Sequence, residues 1–320
     1  MPEPYVATLR RAVTSALSWY ERRTYHHSAF PASVLAAARK HTASVLLPAR
    51  NEADTIGPIV EALLPLRDAG VIDQIAVLDD STDGTGEIAA RLGAEVYDQS
   101  SLRPEFGPVM GKGDAMWRGL AIARGDVVCY LDADSEDFGA HFACGLLGPV
   151  LTGDGIAFVK GFYRRPLRLA GMRLPEGGGR VTELTARPLL NRFFPELAGF
   201  LQPLAGEIAA RRDLLEQIPF ACGYAVDVAM LIDVWRRVGG DGLAQVDLDV
   251  RQNQHQQLFD LGPMASAVLA GVMRKVEEDG RLAPAGDSGF LAPRAGGGFE
   301  ERGVAFVERP PAGSLALDAA

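Results

Sequence analysis

With 320 residues, 48% of them hydrophobic, the chain can bury a sizeable core as one large α/β domain or as a domain with an appended subdomain. Its formal net charge of −9, from 32 basic against 41 acidic residues, argues against nucleic acid or an anionic membrane as a general partner, so any anionic substrate needs a local basic pocket. The three cysteines (Cys129, Cys144 and Cys222) lack metal-ligand spacing, no signal-peptide pattern follows Met1, and no apolar run approaches the roughly 20 residues of a spanning helix, which together predict a soluble, cytoplasmic protein with reduced thiols.

Residues 1–40 read as amphipathic helix and loop, with His26 and His27 as solvated or capping residues. The first clear strand is 44–48, and it runs into Ala49-Arg50-Asn51-Glu52. Ile56, Ile59, Val60, Leu63 and Leu64 then recur at helical spacing, with Asp54 or Thr55 as the expected cap. A second strand, 74–79, ends in acid and is followed by a hydroxyl- and carboxyl-rich loop around Ser81. A short third strand at 94–97 leads to a long loop, 98–113, holding Lys112 among prolines and glycines, and a helix over about 114–124 comes next. The run Val127-Val128-Cys129-Tyr130-Leu131 reads as a strand buried on both faces, and it stops abruptly at Asp132-Ala133-Asp134. Alternation in an extended segment points Asp132 and Asp134 the same way, so the two carboxylates can share a hard cation.

Strand–helix alternation over 44–134 implies a parallel sheet with right-handed crossovers, and it sets Glu52, Asp79 and Asp132/Asp134 along one edge, where open α/β sheets bind ligands. Neither Gly-x-Gly-x-x-Gly nor a Walker-type loop is present, since Lys112 is followed by Gly113-Asp114. Further on, 158–166 looks like a strand entering the basic turn Arg164-Arg165. Gly177-Gly178-Gly179-Arg180-Val181-Thr182 looks like a flexible loop feeding a helix start, the arrangement that binds a phosphate. Helices are expected at 184–190, 226–238 and 264–278, with a strand at 246–250 before the polar run 251–257. From 283 the Gly/Pro/Ala-rich tail is expected to be loosely ordered or draped over the surface.

Pro48-Ala49-Arg50-Asn51-Glu52 with Asp132-Ala133-Asp134 resembles the nucleotide-diphosphate frame of GT-A type glycosyltransferases. Gly111-Lys112-Gly113, Phe162-Tyr163-Arg164-Arg165-Pro166-Leu167, Gly178 to Leu184 and Gln202-Pro203-Leu204-Ala205-Gly206-Glu207 resemble the glucosyl-3-phosphoglycerate synthases of actinobacteria, with the mannosyl-3-phosphoglycerate synthases close behind. The resemblance spans about 40–280. It implies an α/β fold of the GT-A type, with helices on both faces of a nucleotide-sugar-binding sheet and a smaller acceptor-binding C-terminal region. The expected divisions are a helical extension (1–40), a nucleotide-sugar region (41–150), an acceptor-binding and metal-completing region (151–282) and the tail (283–320).

The activity implied is retaining transfer of glucose from UDP-glucose to the 2-hydroxyl of 3-phospho-D-glycerate, in a homodimer, with Mg²⁺ or Mn²⁺. Pro48, Ala49, Glu52, Ser81, Lys112, Asp132 and Ala133 would bind the donor. Gly179, Arg180, Val181 and Thr182 would bind the acceptor, and Leu204, Tyr224 and Asp227 would border the transferred sugar. Asp227 stands where the family usually has glutamate. Asp134 would ligate the metal; the family's histidine ligand falls at Asn253 in a gapless alignment, and His255, two residues on, is the expected second ligand on chemical grounds. Rival readings are a mannosyl transferase using GDP-mannose, a polyprenyl-phosphate glycosyltransferase and a non-catalytic sugar-nucleotide-binding protein.

Overall fold

A computed structural model of the chain describes residues 15–165, 167–169, 172–174, 179–252, 257–281, 288–293, 299–304 and 307–314. Helix α1 (15–23 in its described part) runs directly into strand β1 (Thr24–His26). After α2 (Ala32–Ala38) the chain alternates: β2 (Ala43–Ala49), α3 (Ala53–Asp68), β3 (Gln74–Asp79), α4 (Thr85–Arg91), β4 (Glu95–Asp98), α5 (Lys112–Gly119), β5 (Val127–Tyr130), α6 (Ala140–Thr152) and β6 (Phe158–Arg164). A small hairpin, β7 (Leu167–Leu169) with β8 (Met172–Leu174), precedes α7 (Arg187–Phe193), β9 (Ile208–Arg211) and α8 (Arg212–Leu215). Then come β10 (Phe220–Ala221), α9 (Val226–Val238), β11 (Leu243–Val250) and α10 (Leu258–Glu278).

Eight strands form one sheet in the order β1-β11-β6-β9-β5-β2-β3-β4. The expected parallel pairing holds for β2 with β3 and β5, and for β3 with β4. β9 departs from it, lying antiparallel between β5 and β6. Its sequence, Ile-Ala-Ala-Arg, is too short and too rich in alanine to announce a strand. Ala209 and Ala210 are nonetheless fully buried, as a central strand covered on both sides requires.

The pleat sorts each strand between two cores. Val45, Leu47, Val77 and Cys129 pack with Ile59 and Leu63 of α3 and with Phe142 and Leu147 of α6. Leu46, Leu78, Val128 and Tyr130 face the opposite way, toward Trp117 of α5, Leu190 of α7, Leu231 of α9 and Val272 of α10. Fully burying each of the large strand residues contributes about 1.5–3 kcal/mol. The outcome is a mixed α/β sheet with helices on both faces.

Two local expectations change. The α3 start has no side-chain cap from Asp54 or Thr55; Asp83 instead accepts the Ala53 N–H across the loop at 3.1 Å, and Thr55 Oγ1 donates to the Ala133 carbonyl at 2.6 Å. The described parts of the tail are not loose. β12 (Ser288–Pro293) pairs with β13 (Phe299–Val304), and β14 (Glu308–Arg309) pairs with β10. Arg309 is buried against fully buried Asp114, donating to both carboxylate oxygens at 2.7 and 3.0 Å, and Trp117 Nε1 donates to the Pro310 carbonyl. A buried carboxylate at the start of α5 needs these donors, and the tail supplies them.

Candidate active site

β2, β3, β5, β6 and β11 all run the same way, and β9 runs against them. The ends of the five strands and the segment entering β9 therefore meet at one edge of the sheet, the edge the sequence marked with acids. A cavity of about 510 Å³ opens there. It gathers Pro48, Ala49 and Glu52 from the end of β2, Lys112 from α5, Asp132, Ala133 and Asp134 from the end of β5, and Leu204. Gly179, Arg180, Val181 and Thr182 form another wall, with Tyr224 and Asp227 at the start of α9. Of the site residues expected from sequence, Ser81 is not in the lining: its hydroxyl accepts the Asn51 N–H at 2.8 Å and shapes the loop behind the rim. His255 and Asn253 lie outside the described residues.

Beneath the two aspartates is a charge network that the sequence reading did not identify. Arg251, at the end of β11, has a side chain only 1% exposed. It donates from Nη1 to Asp132 (3.1 Å) and the Tyr163 hydroxyl (2.7 Å), from Nε to Ser135 (3.2 Å) and from Nη2 to Asp134, and its Nη1 forms an ion pair with Glu207 at 2.5 Å. Lys112 pairs with the other oxygen of Asp132. Gly206, in the approach to β9, lets the backbone cross directly over this pair. Burial draws the Lys112 ammonium down, but Asp132, Asp227 and Glu207 more than offset it and hold the group charged. Burial pushes Asp132 up, but Lys112 and Arg251 overcome it and keep the carboxylate ionised well below its ordinary range.

The basic turn after β6 is split. Arg165 reaches the cavity and donates to the Tyr163 hydroxyl at 2.5 Å, whereas exposed Arg164 turns to Asp249. Arg180 opens a continuous helix that passes through a π-helical turn, Thr182–Ala186, before α7, and Gly179 ahead of it has φ +75°. A helix start preceded by a left-handed glycine presents backbone N–H groups to the cavity, and Arg180 adds a cation. Val268, Met264 and Leu261 of α10 supply an apolar wall, which their helical spacing did not distinguish from ordinary core.

Asp134 offers hard oxygen donors at the cavity surface, with its side chain 43% exposed, which suits Mg²⁺ or Mn²⁺. Among the described residues, the group of three with metal-like spacing lies elsewhere: His26, His27 and Asp249, whose ligand atoms lie within 4.8 Å of one another. There His26 Nδ1 accepts the Ser28 N–H, the capping role expected of it, and His27 Nε2 meets Asp249 at 2.7 Å. These contacts clamp β1 to β11.

Glu52 gives a pH-dependent test of this edge. Burial, and then Asp134, push its carboxyl up to about 7, with Asp83 and Asp132 adding and the Thr55 hydroxyl opposing. Between the ordinary glutamate range and about 7, the fold keeps a proton that the unfolded chain has released, so Glu52 makes the fold less stable as pH rises through that window. Glu52→Gln is expected to melt higher than the wild type above neutral pH and to converge with it in acid. Thermal melts across pH, without divalent cation, check this.

The sequence pattern of glycosyl transferase family 2 matches residues 44–163. A glucosyl-3-phosphoglycerate synthase of Mycolicibacterium smegmatis is 42% identical over 303 residues, 93% of this chain and 98% of that protein. Among solved structures, the mannosyl-3-phosphoglycerate synthase of Rubrobacter xylanophilus superposes with a TM-score of 0.86 at 46% identity, covering 93% of this chain and 97% of that one. The glucosyl-3-phosphoglycerate synthase of Mycobacterium tuberculosis, in complex with Mn²⁺, UDP-glucose and phosphoglyceric acid, gives 0.80 at 40%, covering 91% and 97%. With its sheet edge, its Asp-x-Asp and its agreement with these relatives over nearly their whole length, the chain belongs to the glucosyl-3-phosphoglycerate synthase family, hexosyltransferases of the GT-A fold.

Proposed function

We propose that the protein transfers glucose, with retention, from UDP-glucose to the 2-hydroxyl of 3-phospho-D-glycerate. The observation that carries this reading is a single cavity in which the Lys112–Asp132–Asp134 edge faces the Gly179–Arg180 helix start. One side suits a sugar nucleotide and the other a small phosphorylated acid. Pro48, Ala49 and Glu52 take the uridine, and Ala133 and Asp132 border the ribose and diphosphate. Leu204, Tyr224 and Asp227 surround the hexose. A divalent cation, Mg²⁺ or Mn²⁺, held by Asp134 would neutralise charge on the departing diphosphate.

In the transfer, the bond between the anomeric carbon and the diphosphate oxygen breaks, and the acceptor 2-hydroxyl oxygen bonds to that carbon on the same face. The hydroxyl proton passes to the leaving diphosphate. Lys112, held charged beside Asp132, stabilises the negative charge as it develops. Arg180 and the N–H groups behind Gly179 fix the acceptor phosphate, which sets its 2-hydroxyl beside the anomeric carbon.

The experiment crosses UDP-glucose, GDP-glucose and GDP-mannose with 3-phosphoglycerate, 2-phosphoglycerate and glycerate, with Mg²⁺, with Mn²⁺ and with chelator. Product from UDP-glucose and 3-phosphoglycerate that is lost on chelation supports the reading. Donor hydrolysis alone, or lipid glycosylation, overturns it. The 46% identity to a mannosyl-3-phosphoglycerate synthase makes GDP-mannose the second donor to test.

Arg180→Ala is expected to raise the acceptor KM roughly ten- to a hundredfold, since a charge-assisted contact contributes about 1.5–3 kcal/mol. The donor KM should stay close to wild type. Equal rises in both constants would remove Arg180 from the acceptor side.

A further inference from the structure

Lys160 lies in the middle of β6, paired across the sheet with Ile208 of β9 and Gln245 of β11, and its side chain is 1% exposed. Its Nζ has no hydrogen-bond partner among the described residues. The carboxylate it meets is Asp227, whose Oδ1 is 3.8 Å away, close enough for ion pairing and too far for a hydrogen bond. An ammonium buried without hydrogen bonds makes a fold less stable, and an apolar side chain of similar volume would serve the core better. Lys160 is therefore poorly explained by stability.

The neighbouring charges already have other partners. Lys112 pairs with Asp132, Arg251 bridges Asp132, Asp134 and Glu207, and Arg165 donates to Tyr163. Asp227 sits in the cavity wall, 14% exposed, at the first turn of α9, with Lys160 behind it. Four charged groups from neighbouring segments act on it: Lys112 of α5, Lys160 of β6, Asp132 after β5 and Arg165 after β6. Burial pushes the Asp227 carboxyl up while Lys112 and Lys160 oppose that push; burial draws Lys160 down while Asp227 opposes it.

We propose that Lys160 is a positioning residue for glycosyl transfer: from beneath the cavity it holds Asp227 as an anion and fixes the direction of its carboxylate toward the hexose. This rests on the reading that Asp227 borders the transferred sugar. A carboxylate fixed from behind accepts a sugar hydroxyl in one geometry. The buried cation sets that geometry from beneath the cavity.

The test measures kcat, both KM values and the pH profile for Lys160→Met, Asp227→Asn and the double variant. Lys160→Met should lower kcat about thirty- to a hundredfold at neutral pH, the scale of one charge-assisted contact, with the acceptor KM near wild type. The loss should shrink as pH rises, because without the ammonium Asp227 ionises only at higher pH. In the Asp227→Asn background the same change should cost less than about threefold. Lys160→Gln, polar and uncharged, repeats the measurement should the methionine variant not fold. A wild-type kcat and pH profile in Lys160→Met, or an equal loss in the Asp227→Asn background, would overturn the proposal. Failure of the wild type to glycosylate 3-phosphoglycerate would instead remove the functional reading, and an active Asp227→Asn would remove the role of Asp227.

Discussion

Gly206→Ala is expected to lower kcat by roughly a hundred- to a thousandfold while leaving the fold intact, the scale seen when one donor to a developing anion is lost. A Cβ at this position would lie 2.0 Å from Lys112 Nζ and 2.5 Å from an Asp132 carboxylate oxygen. Both are ends of side chains, so they give way while the backbone stays. Gly206 is not among the residues with positive φ, so alanine adds no backbone strain. The displaced ammonium then no longer sits beside Asp132, where charge on the leaving diphosphate must be met. Circular dichroism and thermal melts should match wild type, and donor binding by calorimetry should weaken less than kcat falls. A Gly206→Ala variant with full turnover would show that Lys112 acts from some other position.

Much of this site was legible before any coordinates. Strand ends in parallel α/β sheets gather on one edge, so the acids at 52, 132 and 134 imply a common cleft, whereas Asp79, expected on the same edge, is not in its lining and lies against Gly86 of α4. The glycine-rich approach to Arg180 marks a helix start by composition. The supporting charges were not legible. Arg251 stands at the end of a strand whose pattern predicts only that it is a strand, and it reaches Asp132 across 119 positions of sequence. Glu207 lies in a recognised motif, yet its burial depends on β9, a four-residue strand too alanine-rich to be read as one. Lys160 occupies a position that alternation assigns to a sheet face, and alternation says nothing of which helix covers that face. The described part of the tail departs furthest from expectation, because Arg309 finds its partner, Asp114, only in the folded chain.

Both features trace to the mixed sheet. Because β9 runs against its neighbours, the chain enters the sheet at the cavity edge and brings Gly206 and Glu207 there together. Gly206 crosses above the Lys112–Asp132 pair, while Glu207 descends beside it and is only 2% exposed. A buried carboxylate at that depth needs a cation, and Arg251 of the next parallel strand but one supplies it. The same guanidinium is thereby fixed beneath Asp132 and Asp134.

Arg251→Met should consequently lower stability by about 3–5 kcal/mol, the usual cost of removing one partner from a buried ion pair. For a chain of this size that corresponds to a melting temperature lower by roughly 5–15 °C. Glu207 would keep the Tyr163 hydroxyl at 2.8 Å and lose its ion pair with Arg251. Burial already pushes the Glu207 carboxyl up, with Arg251 opposing that push, so the variant should take up a proton there. The sign follows: a fold whose carboxyl binds its proton more tightly than the unfolded chain does gains stability as pH falls. The deficit of Arg251→Met should therefore be largest above neutral pH and narrow in acid. Glu207→Gln added to Arg251→Met removes the uncompensated charge and should recover about 1–3 kcal/mol, a coupling that contacting residues commonly show. Denaturant unfolding of the four proteins at two pH values measures each of these quantities. Strict additivity at both would mean that Arg251 serves chiefly Asp132 and Asp134, and that Glu207 is held by Tyr163.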